Sequence, residues 1–392
     1  MPRYPVAARR GAVVSPNYHA TMAGVRVLQE GGNAVDAALA TNAVLNVVEP
    51  QMCGPGGDLF MLIWHPGEKK LHALNAAGRS PYAVNRDWFA AKGLQDVPFR
   101  GPFSVSVPGV VDGWVEANRR FGSRPLAKLL APAIDYAANG WALTRHTLKH
   151  ITATQKSLAQ YSTAAKNYLP GGELPKWGQV LRNPELAATL QTIADDGRDA
   201  VYGGGKVGQA ILRTLNDAGW PMSQRDLEDT HCDWVEPIST DYRGRRIYEL
   251  PPSNGGLATL VAMNILEGYD LASTGHGTAQ TVHLQLEAKR RAFAVRDQHC
   301  ADPAFYQAPL EQLLSKEYAA QLRATIDPKR VTEVAAVPSP LPAGDTHGDT
   351  IFLTTADGNG MCVSLIQSNY SDWGSGVMVN EVPRLGCSTF LR

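Results

Sequence analysis

Two alternating segments hinged on a glycine-rich turn constrain this fold more than any other feature of the sequence. Residues 350–368 read TIFLTTADGNGMCVSLIQS. The β-branched and apolar residues of Ile351–Ala356 and Met361–Ser368, separated by Asp357-Gly358-Asn359-Gly360, predict a β-hairpin. A second hairpin is predicted from Leu59–Trp64 and Lys70–Leu74, joined through Pro66-Gly67. A short strand is expected at Gly11–Val14. Helical patterns flank these strands. His19–Glu30 has Ser15 and Asn17 as candidate caps and Gly31 where a left-handed stop belongs. Ala34–Val48 carries no charge beyond Asp36, so it should be buried on most sides. Leu126–Asp229 reads as mostly helical, with breaks at Pro170–Gly172 and Gly203–Gly205. Strand signal returns around Ile238–Leu250, a helix follows a cap region at Asn254, and a long helix is predicted at Thr281–Val295. Pro328–His347 is the least patterned stretch. Strands joined by hairpins and accompanied by runs of helix point to α+β layers around an antiparallel sheet, not to a doubly wound parallel one.

Composition narrows the partners. Lys and Arg number 37 and Asp and Glu number 37, with no basic run, so neither nucleic acid nor an anionic membrane surface is an expected partner. No stretch has about 18 uninterrupted apolar residues, which argues against a membrane span. The N-terminal MPRYPVAARRGAVVSP has arginines but no apolar core after them. A cytoplasmic location is therefore expected, or a periplasmic one had a signal been removed. Cys53, Cys232, Cys300, Cys362 and Cys387 show no CxxC or zinc spacing and read as reduced thiols. Gly54-Pro55-Gly56-Gly57 lacks the phosphate-loop pattern and precedes a strand, so it reads as a structural turn; a nucleotide site there is the weakest reading.

Thr350 stands where a loop meets a strand, and its residue type leaves two readings open. Threonine favours strands, and Thr346, Thr354 and Thr355 lie nearby, so it could simply begin one. Alternatively, cleavage of the Asp349-Thr350 bond would make it an N-terminal residue. Its hydroxyl would then be a nucleophile, and its own α-amine, with an ordinary pKa of about 7.7–8.0, would be a base already in place. A lysine amine, near roughly 10.4, would be mostly protonated at neutral pH.

Six stretches carry a resemblance: GGNAVDAALA (31–40), GPGGDLFML (54–62), GRSP (78–81), SVPGVVDGW (106–114), LPPSNGGLATLVAMNILEG (250–268) and GDTIFLTTADGNGMCVSLIQSNY (348–370). In this order they resemble the γ-glutamyltransferase (γ-glutamyltranspeptidase) family of N-terminal-nucleophile hydrolases. The resemblance implies a four-layer αββα sandwich and a precursor that cuts itself at Asp349-Thr350. It implies that the Thr350 hydroxyl then forms an acyl-enzyme, resolved by water or an amine. It makes Ser368 the second hydroxyl supporting the nucleophile and Arg79 the grip for the substrate carboxylate, a role that suits a bidentate guanidinium. Residues 1–349 would form a large subunit, with a precursor loop near 328–349, and 350–392 the start of the small one. The implied substrate is a small molecule, no metal or organic cofactor is called for, and a homodimer of precursors is compatible.

Two departures from the pattern shape the expectation. Tyr370 stands where transpeptidases carry asparagine, which shifts the implied substrate from a γ-glutamyl compound toward another small carboxylate-bearing amide. This resembles the branch holding oxamate amidohydrolase and cephalosporin acylase-like enzymes, with Tyr370 as a substrate-contacting residue and Tyr370 and Trp373 as candidate pocket aromatics. Family members also continue well beyond the first hairpin of the small subunit, whereas Ile351–Arg392 alone follow Thr350 here. The C-terminal part of the sandwich is therefore expected to be incomplete, and a catalytically inactive remnant stands as an alternative to an active amidohydrolase or acyltransferase.

Overall fold

The computed structural model describes residues 7–160, 162–334 and 350–379. Asp349, His347 and most of the expected precursor loop lie outside them. The chain divides into two compact units, one comprising Met1–Asp233 and Ala343–Arg392 and the other Trp234–Pro342.

In the first unit the strands are β1 (Gly11–Val14), β2 (Asp58–His65), β3 (Lys70–Ala76), β4 (Ile351–Asp357) and β5 (Cys362–Ser368). They pair antiparallel in the order β1-β4-β5-β2-β3, so the late hairpin is threaded between strands from the beginning of the chain. Both expected hairpins are present. Helix α1 (Tyr18–Gln29) starts at Asn17, whose side chain accepts the His19 N–H, and Gly31 takes the left-handed φ of 84° just past its end. Helix α2 (Ala34–Val48) opens with a capping box between Asn33 and Asp36, and every one of its residues is buried. It packs against α1, the helix Leu126–Asn139 and the strands β4 and β5.

Strand alternation decides what the sheet shows to each side. Leu59, Met61, Ile63, Leu353, Val363 and Leu365 are buried toward the helices, and each contributes ~1.5–3 kcal/mol when fully removed from water. The other face carries Val14, Trp64, Phe352 and Ile366, which keep 64, 38, 54 and 37% of their surface exposed. A buried polar cluster pins the register of β5. Gln367 Oε1 accepts from Asn42 Nδ2 (2.6 Å) and Asn46 Nδ2 (2.7 Å), and Gln367 Nε2 donates to Asn46 Oδ1 (3.0 Å) and the Gly54 carbonyl (2.7 Å). Trp114 Nε1 completes it by donating to Asn42 Oδ1 at 2.7 Å. A one-residue slip would bury Ser368 and Ile366 in place of Gln367 and orphan these amides, each at ~1–3 kcal/mol.

The second unit has its own core of Leu257, Val261, Ile265, Leu284, Ala288, Ala292 and Val295. The strand expected around Ile238–Leu250 is a hairpin of Ile238–Tyr242 and Arg245–Glu249. Arg243 and Gly244 turn it with φ of 49° and 76°, the positive pair that a two-residue hairpin turn demands. The long helix runs from Ala279 to His299, two residues earlier than expected at its start, because the Thr278 side chain caps it by accepting the Thr281 N–H. Asn254 lies just ahead of the helix Gly256–Glu267, and its side chain accepts the Gly256 N–H at 3.0 Å.

Candidate active site

The ladder brings the two predicted hydroxyls together. Ile351 pairs with Gln367, so the next step outward sets Thr350 against Ser368. Thr350 Oγ1 donates to Ser368 Oγ at 2.9 Å. Ser368 Oγ accepts a second hydrogen bond, at 2.8 Å, from the Tyr370 backbone N–H. The serine oxygen is thus held from two sides, with Thr350 exposed above it.

Tyr370 and Trp373 both take left-handed φ, at 80° and 62°. A bulky residue holds such a backbone only where its surroundings over-determine it, and here they do. Arg100 Nη1 donates to the carbonyls of Asp372 (2.7 Å) and Gly374 (3.2 Å), Arg100 Nη2 donates to Ser371 Oγ (3.2 Å), and the Gly101 N–H reaches the Ser375 carbonyl (2.8 Å). His150 Nδ1 lies 3.1 Å from Asp372 Oδ2. The backbone N–H groups of Asn369 and Trp373 donate to the carbonyls of Met52 (3.1 Å) and Gln51 (2.9 Å). Trp373 is itself an anchor, not a pocket wall. It is buried, donates through Nε1 to Thr154 Oγ1 at 2.8 Å, and packs its ring 5.0 Å from that of Tyr168. The Tyr370 ring is half exposed and lies 5.5 Å from Phe99.

The glycine turn is a close-approach device. Gly57 donates its N–H to the Gly54 carbonyl (3.0 Å), and its own carbonyl accepts from the N–H groups of Gly109 and Val110. A Cβ on Gly57 would stand 2.3 Å from the Ser368 carbonyl oxygen, so the turn can touch the strand end only without a side chain. Arg79 sits on the loop after β3. Its carbonyl accepts the Val107 N–H at 2.9 Å, and its exposed guanidinium has no hydrogen-bond or ion-pair partner among the described residues. The structure therefore unites Thr350, Ser368 and the Tyr370 backbone directly, sets Arg79 on a separate loop, and leaves Asp349 outside the described residues.

Sequence reading missed Asp58 and Arg100. Asp58 had a detectable signal, an acid opening the otherwise apolar run DLFMLIW. Arg100 had none, since its partners are mainly backbone carbonyls some 270 positions away. Nearby, Cys53 is buried, and desolvation, followed by the charge of Glu49, pushes its thiol well above the ordinary range. It is not a competing nucleophile. Among the described residues, no cluster of three or more His, Cys, Asp or Glu side chains could hold a metal ion.

Residues 20–382 match the family described as Gamma-glutamyltranspeptidase. The chain is 38% identical over 370 residues to the glutathione hydrolase-like YwrD proenzyme of Bacillus subtilis (strain 168), covering 94% of this chain and 68% of that one. It is 34% identical to the oxamate amidohydrolase proenzyme of Klebsiella pneumoniae, covering 95% and 69%. It superposes on the crystal structure of cephalosporin acylase from Bacillus halodurans with a TM-score of 0.88 and 36% identity, covering 100% of this chain and 70% of that one. The chain thus spans about two thirds of the length of these relatives. A match over nearly the whole sequence, an α+β fold shared with solved relatives and a threonine–serine pair at the hairpin's open end lead to one conclusion: this chain belongs to the gamma-glutamyltranspeptidase family of autoprocessing amide hydrolases and acyltransferases.

Proposed function

We propose that Thr350 is the nucleophile of this enzyme, generated by self-cleavage after Asp349, and that its substrate is a small amide bearing a carboxylate. The observation that carries the reading is the 2.9 Å hydrogen bond from Thr350 Oγ1 to Ser368 Oγ. In the precursor, Oγ1 attacks the Asp349 carbonyl while its proton moves toward Ser368. The peptide C–N bond breaks, the Thr350 nitrogen takes up a proton, and an ester links Asp349 to Oγ1. Water hydrolyses that ester, releasing the Asp349 carboxylate and restoring the hydroxyl. The freed α-amine is now the base. It accepts the Oγ1 proton as oxygen attacks the substrate amide, and it returns that proton to the departing amine. Water or a second amine then resolves the acyl-enzyme.

Two features support the substrate class. Arg79 presents an exposed guanidinium, unengaged among the described residues, that suits a carboxylate. Tyr370 replaces a polar amide side chain with a half-exposed ring, which favours an acyl group without a charged amine at that place. Oxamate, the substrate in the name of one relative, is the small extreme of this class.

Intact-mass analysis tests the nucleophile. The purified protein should resolve into residues 1–349 and 350–392, and Thr350→Ala should remain a single chain. An uncut wild type that still releases ammonia from such amides, with undiminished turnover in Thr350→Ala, would rule the proposal out.

A further inference from the structure

Asp58 belongs to neither the nucleophile nor the carboxylate grip, yet it touches the machinery of both. It opens β2, directly opposite Ser368 in the β5–β2 ladder. Opposed residues of an antiparallel pair project to the same face, with Cβ atoms about 4.5–5.5 Å apart. Thr350, Ser368 and Asp58 therefore form one row across three neighbouring strands at the end of the sheet. Although that face is largely open to water, Asp58 is only 1% exposed. Its Oδ1 accepts the backbone N–H of Gly78 at 3.0 Å, and Gly78 is the residue before Arg79.

The backbone around Arg79 has little freedom left. The Ala77 N–H is taken by Asn75 Oδ1 at 3.1 Å, the Gly78 N–H by Asp58, and the Arg79 carbonyl by the Val107 N–H at 2.9 Å. A Cβ on Gly78 would fall 1.5 Å from the Val107 carbonyl oxygen, so these two segments are in direct backbone contact. The contact to Val107 joins the loop to a neighbouring segment, and the bond from Asp58 joins it to the nucleophile row.

We infer that Asp58 is a positioning residue that fixes the span between the Thr350 hydroxyl and the Arg79 guanidinium, and thereby selects the length of the acyl chain. The inference rests on the substrate reading above. An acyl group attacked at one end and gripped by its carboxylate at the other must bridge two anchors that share one rigid frame. When such a frame is rigid, a misplacement of ~1 Å at the reacting carbonyl can cost ~10²-fold in rate. One methylene too many or too few produces a misfit of that kind.

The test is the series oxamate, malonamate, succinamate and glutaramate, each assayed for ammonia release with the processed enzyme. The wild type should favour one length sharply. Asp58→Ala removes the acceptor and should flatten the series, lowering the ratio of best to worst kcat/KM at least tenfold, mainly through kcat. Asp58→Asn keeps an oxygen that can accept the Gly78 N–H and should preserve the ratio. Asp58→Glu pushes the acceptor outward and should move the preference to another length. Cleavage before Thr350 reports that each variant is folded, and the Asn and Glu variants carry the test should the Ala variant fail to fold. A length preference that survives Asp58→Ala but collapses in Arg79→Ala overturns the inference and leaves the substrate reading intact. A flat wild-type profile, or no turnover of any member, defeats both.

Discussion

At the scale of single residues, the acceptor role of Ser368 has a measurable consequence. Its Oγ receives hydrogen bonds from Thr350 Oγ1 and from the Tyr370 N–H. Under the mechanism proposed above, Ser368→Ala removes the group that accepts from the Thr350 hydroxyl, and should slow self-cleavage by about 10²-fold or more, as expected for loss of a proton-transfer partner. Ser368→Thr keeps the hydroxyl and should retain most of the rate. Band intensities on a denaturing gel over time would decide, and equal rates for the alanine variant and the wild type would refute the role. Residue type alone leaves Thr350 open between a strand opener and a nucleophile; the resemblance of GDTIFLTTADGNGMCVSLIQSNY to the family is what singles out Thr350 and, 18 positions on, Ser368. Asp58 was less legible, because its partner N–H belongs to Gly78, on the far side of the β2–β3 hairpin.

At the scale of elements, the helix Ala279–His299 straps down the chain that follows it in the second unit. Arg291 donates to Glu287 Oε2 (2.8 Å), Thr325 Oγ1 (2.6 Å), the Thr325 carbonyl (2.7 Å) and Thr332 Oγ1 (2.7 Å). Arg290 reaches the Thr332 carbonyl at 2.8 Å, and Thr332 Oγ1 donates to Glu287 at 2.5 Å. Burial alone would push the Glu287 carboxyl up, but hydrogen bonds from Thr332, Arg291 and Arg290, with the charge of Arg290, hold it down to about 2 from an ordinary 4.5. A carboxyl whose folded value is depressed adds stability above its unfolded value and loses it as pH falls toward the folded one. The wild type should therefore lose melting temperature between pH 5 and about pH 2. Glu287→Gln should be less stable at pH 6, and its melting temperature should vary less across that window. Parallel curves for the two proteins would show that Glu287 titrates as an ordinary surface acid. Elements with strong local signals, such as α1 with its Asn17 cap and the turn at Asp357–Gly360, matched expectation. The hairpin at 238–249 shows in the sequence only as one strand region, because its turn lacks the usual Asn-Gly pair and uses Arg243 instead.

At the scale of the whole molecule, the sequence pointed to α+β layers and an antiparallel sheet, but not to the strand order. Nothing local announces that β4 pairs with β1 and β5 with β2, since those partners are some 300 residues apart and are selected by which faces bury together. Nor did composition mark the passage from one compact unit to the next at Asp233 and Trp234. The strand order matters for the proposed cleavage, because β1 and β2 flank the hairpin that follows Thr350. Breaking the chain before Thr350 leaves the two products bound through the ladders of β1 with β4 and of β2 with β5, so they should elute together under native conditions. The open side of the same sheet has a different outcome. Val14, Trp64, Phe352 and Ile366 give it the character of a protein interior turned toward solvent, and attraction between such surfaces weakens on cooling. A concentrated solution of this polypeptide should cloud on gentle warming, well short of unfolding, and clear again in the cold; Phe352→Lys should abolish the clouding, as light scattering would record.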